Sequence, residues 1–218
     1  MPPAELPPEH PGFRTRRLPA DLLRYLIFDT ETAGLPRGRR RYSRTSVQWP
    51  RLVQIAWIVF DENENAVERN AAIIQPQGFT IPAEAARIHG ITTELAYAKG
   101  IPLRTALLEF SWAAERSTVA VAHNMAFDAS VIAAEYAREG LTDPLVRLPK
   151  ICTMESSAAF CKIRRPGGYK WPALSELHAV LFSSAYGGVH NAADDADACA
   201  RCFFELKRRG IISGRCKF

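Results

Sequence analysis

Three stretches of this sequence carry residues whose types and spacing could do chemistry. The first is Leu26-Ile27-Phe28-Asp29-Thr30-Glu31-Thr32-Ala33-Gly34-Leu35-Pro36, an apolar run that ends in two acids one residue apart. In a β-strand, residues i and i+2 project from one face, so Asp29 and Glu31 would stand together, roughly 6–7 Å apart. Two like charges that close repel unless a proton or a cation lies between them. Hard divalent cations such as Mg²⁺ take carboxylate oxygens and complete their shell with water and substrate phosphates. A metal site at the carboxyl end of a buried strand is the expectation. The plainer reading has Asp29 opening a turn and Glu31 solvated.

The second stretch, His123-Asn124-Met125-Ala126-Phe127-Asp128, lies where an apolar strand would pass into a helix. Open α/β sheets place their ligands at such strand ends. Asp128 falls in the helix's first turn, where the macrodipole favours the ionised form; an ordinary first-turn aspartate would sit there too. His123 reads as structural. The third stretch is Gly187-Gly188-Val189-His190-Asn191-Ala192-Ala193-Asp194-Asp195-Ala196-Asp197. Glycines leave the loop free to carry His190 toward a substrate. Successive helical residues turn by about 100°, so Asp194, Asp195 and Asp197 cannot all face one point. Only one need be a ligand.

The intervening elements must bring these stretches together. Arg24 to Asp29 reads as a first strand, Leu52 to Phe60 as a central one and Ala66 to Gln75 as its antiparallel neighbour. Pro82 begins a short helix at a first-turn position and Gly90 ends it, Thr92 or Thr93 caps the next, and Leu103, Leu107, Phe110 and Ala114 recur at helical spacing. A strand over 118–122 then precedes a helix from Met125 to Arg138. A strand near 148–153, helices near 154–161 and 172–182, and a last helix from an Asn191 cap to about Arg209 complete the chain. The pattern predicts a mixed α/β sheet with helices on its faces, in one domain over 22–218 after a Pro-rich leader over 1–21.

The chain has 218 residues and a formal charge of +5, from 28 Lys and Arg against 23 Asp and Glu. The basic excess clusters at Arg37, Arg39, Arg40, Arg41 and Arg44, and again at Lys162, Arg164, Arg165 and Lys170. Basic patches beside an acidic site suggest a polyanionic substrate, of which nucleic acid is the commonest, although an arginine run can also be a solvated loop. Phe79, Tyr169 and Trp171 are candidates for stacking on unpaired bases. Five cysteines without paired spacing suit reduced thiols, and Cys199 and Cys202 read as small packed residues. No apolar run approaches a bilayer span, and the leader has no secretory core, so a cytoplasmic protein is expected.

Taken together and in order, D-x-E, H-N-x-x-F-D and H-x-x-x-x-D resemble the DnaQ-like 3′→5′ exonucleases with four acids and a histidine (DEDDh). That superfamily includes the proofreading subunit of bacterial replicative polymerases. The likeness spans about Arg24 to Arg209. It implies an RNase H-like mixed central sheet with helices on both faces. It also implies Asp29, Glu31, Asp128 and Asp195 as metal ligands for two Mg²⁺ (or Mn²⁺) ions, and His190 as general base. Thr30, Thr32, Leu35, His89 (in the family-like H-G-I-T segment) and Asn124 would contact the substrate. The implied reaction is metal-dependent hydrolysis of DNA from single-stranded or frayed 3′ ends, with DNA polymerase as a conceivable partner and no membrane. RNA is the alternative substrate, as in the oligoribonucleases and RNase T of the same superfamily. A non-catalytic nucleic-acid-binding module would have lost at least one of these acids.

Overall fold

Leu52–Phe60 (β2) alternates nothing: all nine side chains are buried. A strand rich in β-branched and aromatic residues reads this way when helices cover both faces of its sheet. A computed structural model describes residues 23–37, 48–184, 186 and 190–212. The leader, the arginines at 39, 40, 41 and 44, and Gly187-Gly188-Val189 lie outside the described residues. β2 pairs antiparallel with Tyr25–Thr32 (β1) on one side and Ala66–Ile73 (β3) on the other. β1 pairs in parallel with Val119–Ala122 (β4), and β4 with Lys150–Cys152 (β5), so the order is β3-β2-β1-β4-β5. This is the RNase H-like mixed sheet that the sequence predicts.

The two faces follow strand parity. Leu26, Phe28, Ala120 and Ala122 point toward Leu103–Glu115 (α3) and Met125–Arg138 (α4), where Leu107, Phe110, Val131 and Tyr136 are buried. Tyr25, Ile27, Val119 and Val121 point the other way, toward Leu174–Phe182 (α6) and Ala192–Arg208 (α7). Thr153–Cys161 (α5) lies between β5 and α6. A smaller cluster of Val53, Ile81, Ala85, Ile91 and Ala96 joins the sheet end to Ala83–His89 (α1) and Thr93–Lys99 (α2). Gly100 ends α2 pressed against Gln75; a Cβ there would lie 2.3 Å from the Ala96 carbonyl oxygen and 2.7 Å from the Gln75 nitrogen.

Three features depart from the sequence reading. β1 continues through Thr32, because Thr30 and Glu31 still pair with Ile55 and Gln54 of β2, so both acids are on the strand. Pro82 caps α1 rather than occupying its first turn. The stretch around Arg164 is a small hairpin, Arg164–Arg165 (β6) and Gly168–Tyr169 (β7), too short for alternation to register in the sequence. α4 is pinned to β2 through Glu135, which is fully buried and accepts from Arg51 Nε (2.9 Å), Arg138 Nη1 (2.9 Å) and the Leu52 amide (2.9 Å). Among the described residues, no helix is long and apolar enough to cross a membrane.

Candidate active site

β1 carries Asp29 and Glu31 on the α7 side of the sheet, by the same parity that buries Tyr25 and Ile27 there. α7 brings the third acid. Asn191 caps that helix by accepting from the Ala193 amide (2.9 Å), and the Gln54 side chain on β2 accepts from the Ala192 amide (3.1 Å). These two contacts set the helix over the sheet end and place Asp195 against β1. One carboxylate oxygen each of Asp29, Glu31 and Asp195 lies within 4.8 Å of the others. Asp194 is exposed, and Asp197 pairs with Arg69 at 2.7 Å. Only one of the three aspartates on α7 therefore joins the cluster, as the helical rotation requires.

Asp128 approaches from α4 on the other face. It is buried and accepts a 2.6 Å hydrogen bond from the Thr30 hydroxyl. Burial pushes the Asp29 carboxyl well above the ordinary carboxylate range, and the charges of Asp128, Asp195 and Glu31 add to it. Glu31 rises to about 7, by burial first and then by Asp195 and Asp128. Asp195 is also raised by burial, with the Tyr186 hydroxyl and His190 opposing. Asp128 is raised by burial, which outweighs the Thr30 hydrogen bond. Here the expectation from the helix dipole is corrected: near the N-terminus of α4, desolvation exceeds the dipole, and the ionised form is disfavoured. No Lys or Arg among the described residues forms an ion pair with any of the four. Such a cluster has the donor set of a divalent-cation site: oxygen ligands, converging, with excess negative charge.

The remaining predicted residues are distributed around this cluster. His190 is exposed, one residue before the α7 cap. The Thr30 hydroxyl is committed to Asp128, and the Thr32 hydroxyl donates to the Gly34 carbonyl (2.7 Å). Each hydroxyl has thus committed its proton and keeps only its capacity to accept. Leu35 is 79% exposed and Asn124 is exposed at the head of α4. His89 is buried: its Nδ1 accepts from the Ile91 amide (3.1 Å), while its Nε2 has no partner. Arg51 lies over one face of the Phe79 ring, 4.6 Å from its centre. His123 is structural as expected, with Nδ1 3.0 Å from the Thr153 hydroxyl and Nε2 3.0 Å from the Pro172 carbonyl. Two residues escaped the sequence reading. Tyr186 donates to Asp195 Oδ1 at 2.9 Å, and a lone tyrosine ahead of a glycine-rich loop carries no signal. Gln54 was legible as the one polar residue in an otherwise apolar strand.

Residues 26–203 match the family model for exonucleases designated RNase_T. The chain is 33% identical over 181 residues to the PolC-type DNA polymerase III of Streptococcus thermophilus, covering 83% of this chain and 11% of that protein. The corresponding Streptococcus agalactiae protein is 32% identical over the same length. Among solved structures, Escherichia coli Exonuclease I in complex with a dT13 oligonucleotide superposes with a TM-score of 0.67 at 21% identity. A moderately thermophilic Exonuclease I from Methylocaldum szegediense gives 0.66 at 21%. In both cases 86% of this chain and 41% of the other are covered. The chain thus spans about a tenth of the polymerases and two fifths of the exonucleases. With motif order, sheet topology and family match in agreement, the chain belongs to the DnaQ-like 3′→5′ exonucleases.

Proposed function

We propose that this protein hydrolyses DNA from single-stranded or frayed 3′ ends, using divalent metal held by Asp29, Glu31, Asp128 and Asp195. The observation that carries the reading is the convergence of three carboxylates within 4.8 Å, with no cationic side chain among the described residues to balance them. Two Mg²⁺ or Mn²⁺ ions would neutralise charge on the scissile phosphate and make bound water acidic enough to attack near neutral pH. Asp29, Glu31 and Asp195 would hold one ion, and Asp29 with Asp128 would hold the second. Thr30 orients the Asp128 carboxylate through its hydroxyl. His190, exposed one residue before the α7 cap, is the group we assign to accept the proton of the attacking water on an imidazole nitrogen.

The substrate's terminal residue has two partners nearby. His89, buried with its Nδ1 accepting from the Ile91 amide, would shape the pocket for the terminal nucleotide, and Leu35 offers an exposed apolar side chain to a base. Residues 22–218 act as the exonuclease domain, with 1–21 a separate leader. The likeness to DNA polymerases and to an exonuclease bound to a DNA oligonucleotide supports DNA as substrate and supports association with a polymerase. The four described cysteines are free thiols, which fits a reducing, cytoplasmic setting.

The test is degradation of 5′-labelled single-stranded DNA and RNA of one sequence with Mg²⁺ or Mn²⁺, beside Asp29→Ala and His190→Ala. A descending ladder that needs metal and vanishes in both variants is expected, faster on DNA. Appreciable hydrolysis by Asp29→Ala would refute the assignment, and preference for RNA would move the substrate.

A further inference from the structure

The basic stretch around Arg164 takes a definite form. β6 and β7 make a two-stranded hairpin closed by Pro166 and Gly167, with Gly167 at φ 86°, a left-handed value that glycine adopts without strain. The ladder is continued by the Lys170 amide, which donates to the Ile163 carbonyl at 2.9 Å. Arg164 and Tyr169 are directly opposite in register, so their side chains share a face. Lys170 is turned toward the body of the protein, where its Nζ donates to Glu176 of α6 at 2.6 Å. The residues on either side of it, Tyr169 and Trp171, stand 46% and 59% exposed. Lys162, Arg164 and Arg165 are exposed and form no ion pair with the described residues. Two half-exposed aromatic rings at a hairpin that also carries three exposed cations suit a polyanionic, flat-faced ligand.

The hairpin is also tied to the active-site end of the sheet. The register Ile27↔Val121 puts His123 level with Asp29 on the adjacent strand and on the same face. His123 Nε2 holds the Pro172 carbonyl, the residue after Trp171, at 3.0 Å. Its Nδ1 meets Thr153 Oγ1 at 3.0 Å, which lies 3.7 Å from Cys199 Sγ on α7. Cys199 is four residues, one helical turn, beyond Asp195. The root of the hairpin is therefore tied through His123 to the end of β4, the strand beside the one that carries Asp29, and through Thr153 to α7, which carries Asp195.

We propose that this hairpin and Trp171 form a second substrate-binding surface, on which the single strand behind the scissile end stacks its bases on Tyr169 and Trp171 while Lys162, Arg164 and Arg165 meet its phosphates. Base stacking on aromatic rings combined with a basic track is how single strands are held without regard to sequence. The proposal rests on the exonuclease reading and adds a site that the carboxylate cluster does not contain.

Its test compares the wild type with Tyr169→Ala/Trp171→Ala and Arg164→Ala/Arg165→Ala. Two substrates are used: thymidine 5′-(p-nitrophenyl phosphate), which fills only the catalytic centre, and a single strand of roughly 20 nucleotides, longer than one single-strand groove holds. Both variants are expected to keep wild-type turnover of the nitrophenyl ester and an unchanged melting temperature. On the long strand the aromatic pair should raise KM about tenfold or more. The arginine pair should reduce the slope of log Kd against log salt by about 1.4, at ~0.7 per phosphate contact on a single strand. Unchanged KM and salt slope would overturn the proposal, and so would equal losses on both substrates, which would mark a general structural role. Binding of the labelled long strand by anisotropy in Ca²⁺ reads the surface without turnover. A wild type that binds the strand through these residues but cleaves neither substrate would sink the exonuclease reading and leave the surface standing.

Discussion

Replacing Glu31 by Gln should stabilise the metal-free protein while it destroys the site. The Glu31 carboxyl has an ordinary value of 4.5 and rises to about 7 in the folded chain. At about 1.36 kcal/mol per pH unit the gap is on the order of 3 kcal/mol, and since Glu31 is only half-buried, solvent screening reduces it to about 1.5–2 kcal/mol. The sign follows from proton linkage. A folded state that holds the proton more tightly than the unfolded one loses stability as pH climbs from 4.5 to 7, and no more above 7. Gln cannot ionise and escapes that loss. For a chain of this size 1 kcal/mol moves the melting temperature by about 2–4 °C, so Glu31→Gln should melt about 3–8 °C higher than wild type at pH 8 in EDTA. At pH 5 most of this advantage should be gone. Mg²⁺ or Mn²⁺ should then raise the wild type at pH 8 more than the variant. A variant that melts at or below the wild type at pH 8 in EDTA would refute the electrostatic reasoning.

Metal affinity should tighten as pH rises from 6 to 8, because Glu31 must lose a proton near 7 to ligate; calorimetry in two buffers of different ionisation enthalpy would detect the released protons. His190→Ala should retain the metal-induced rise in melting temperature and lose at least about a hundredfold in kcat, the lower range for a general base. Gly100→Ala should cost about 1–3 kcal/mol or more in denaturant unfolding, since both backbone atoms facing the new Cβ are fixed by hydrogen bonds. Glu135→Ala should cost about 3–5 kcal/mol, because Arg51 and Arg138 both lose their buried partner.

The sheet and its helices were legible because each has a period that water enforces. β2 is apolar throughout, α4 runs from Met125 to Arg138 as its apolar spacing predicts, and Asn191 caps α7 as its side chain suggests. Asp29 and Glu31 were legible from strand parity; helical rotation left one of Asp194, Asp195 and Asp197, and the resemblance to the family's H-x-x-x-x-D spacing pointed to Asp195. What escaped depends on contacts between distant residues. The ionisation of Asp128 is decided by burial, which helix position does not reveal. Thr30 and Thr32 sit in the motif, but whether their hydroxyls face a substrate or a neighbouring carboxylate and carbonyl is settled only by packing. Tyr186 reaches Asp195 across nine residues whose path no local pattern specifies.

The ends of the site's sequence span also bear on when the enzyme first becomes competent during synthesis. Asp29 lies on the first strand and Asp195 on the last helix, which packs on β1 and β2. A chain that has not yet released α7 carries Asp29, Glu31 and Asp128 with an open sheet face where Cys199 and Phe203 should close the core. Docking of α7 is a contact of long sequence separation, the kind formed late because much of the chain must be ordered first. The same step that buries this face adds the last acid and brings His190 to the cluster. The acidic cluster and the burial of this sheet face are therefore completed in one step, and the proposed site is assembled no earlier than the packing that positions it.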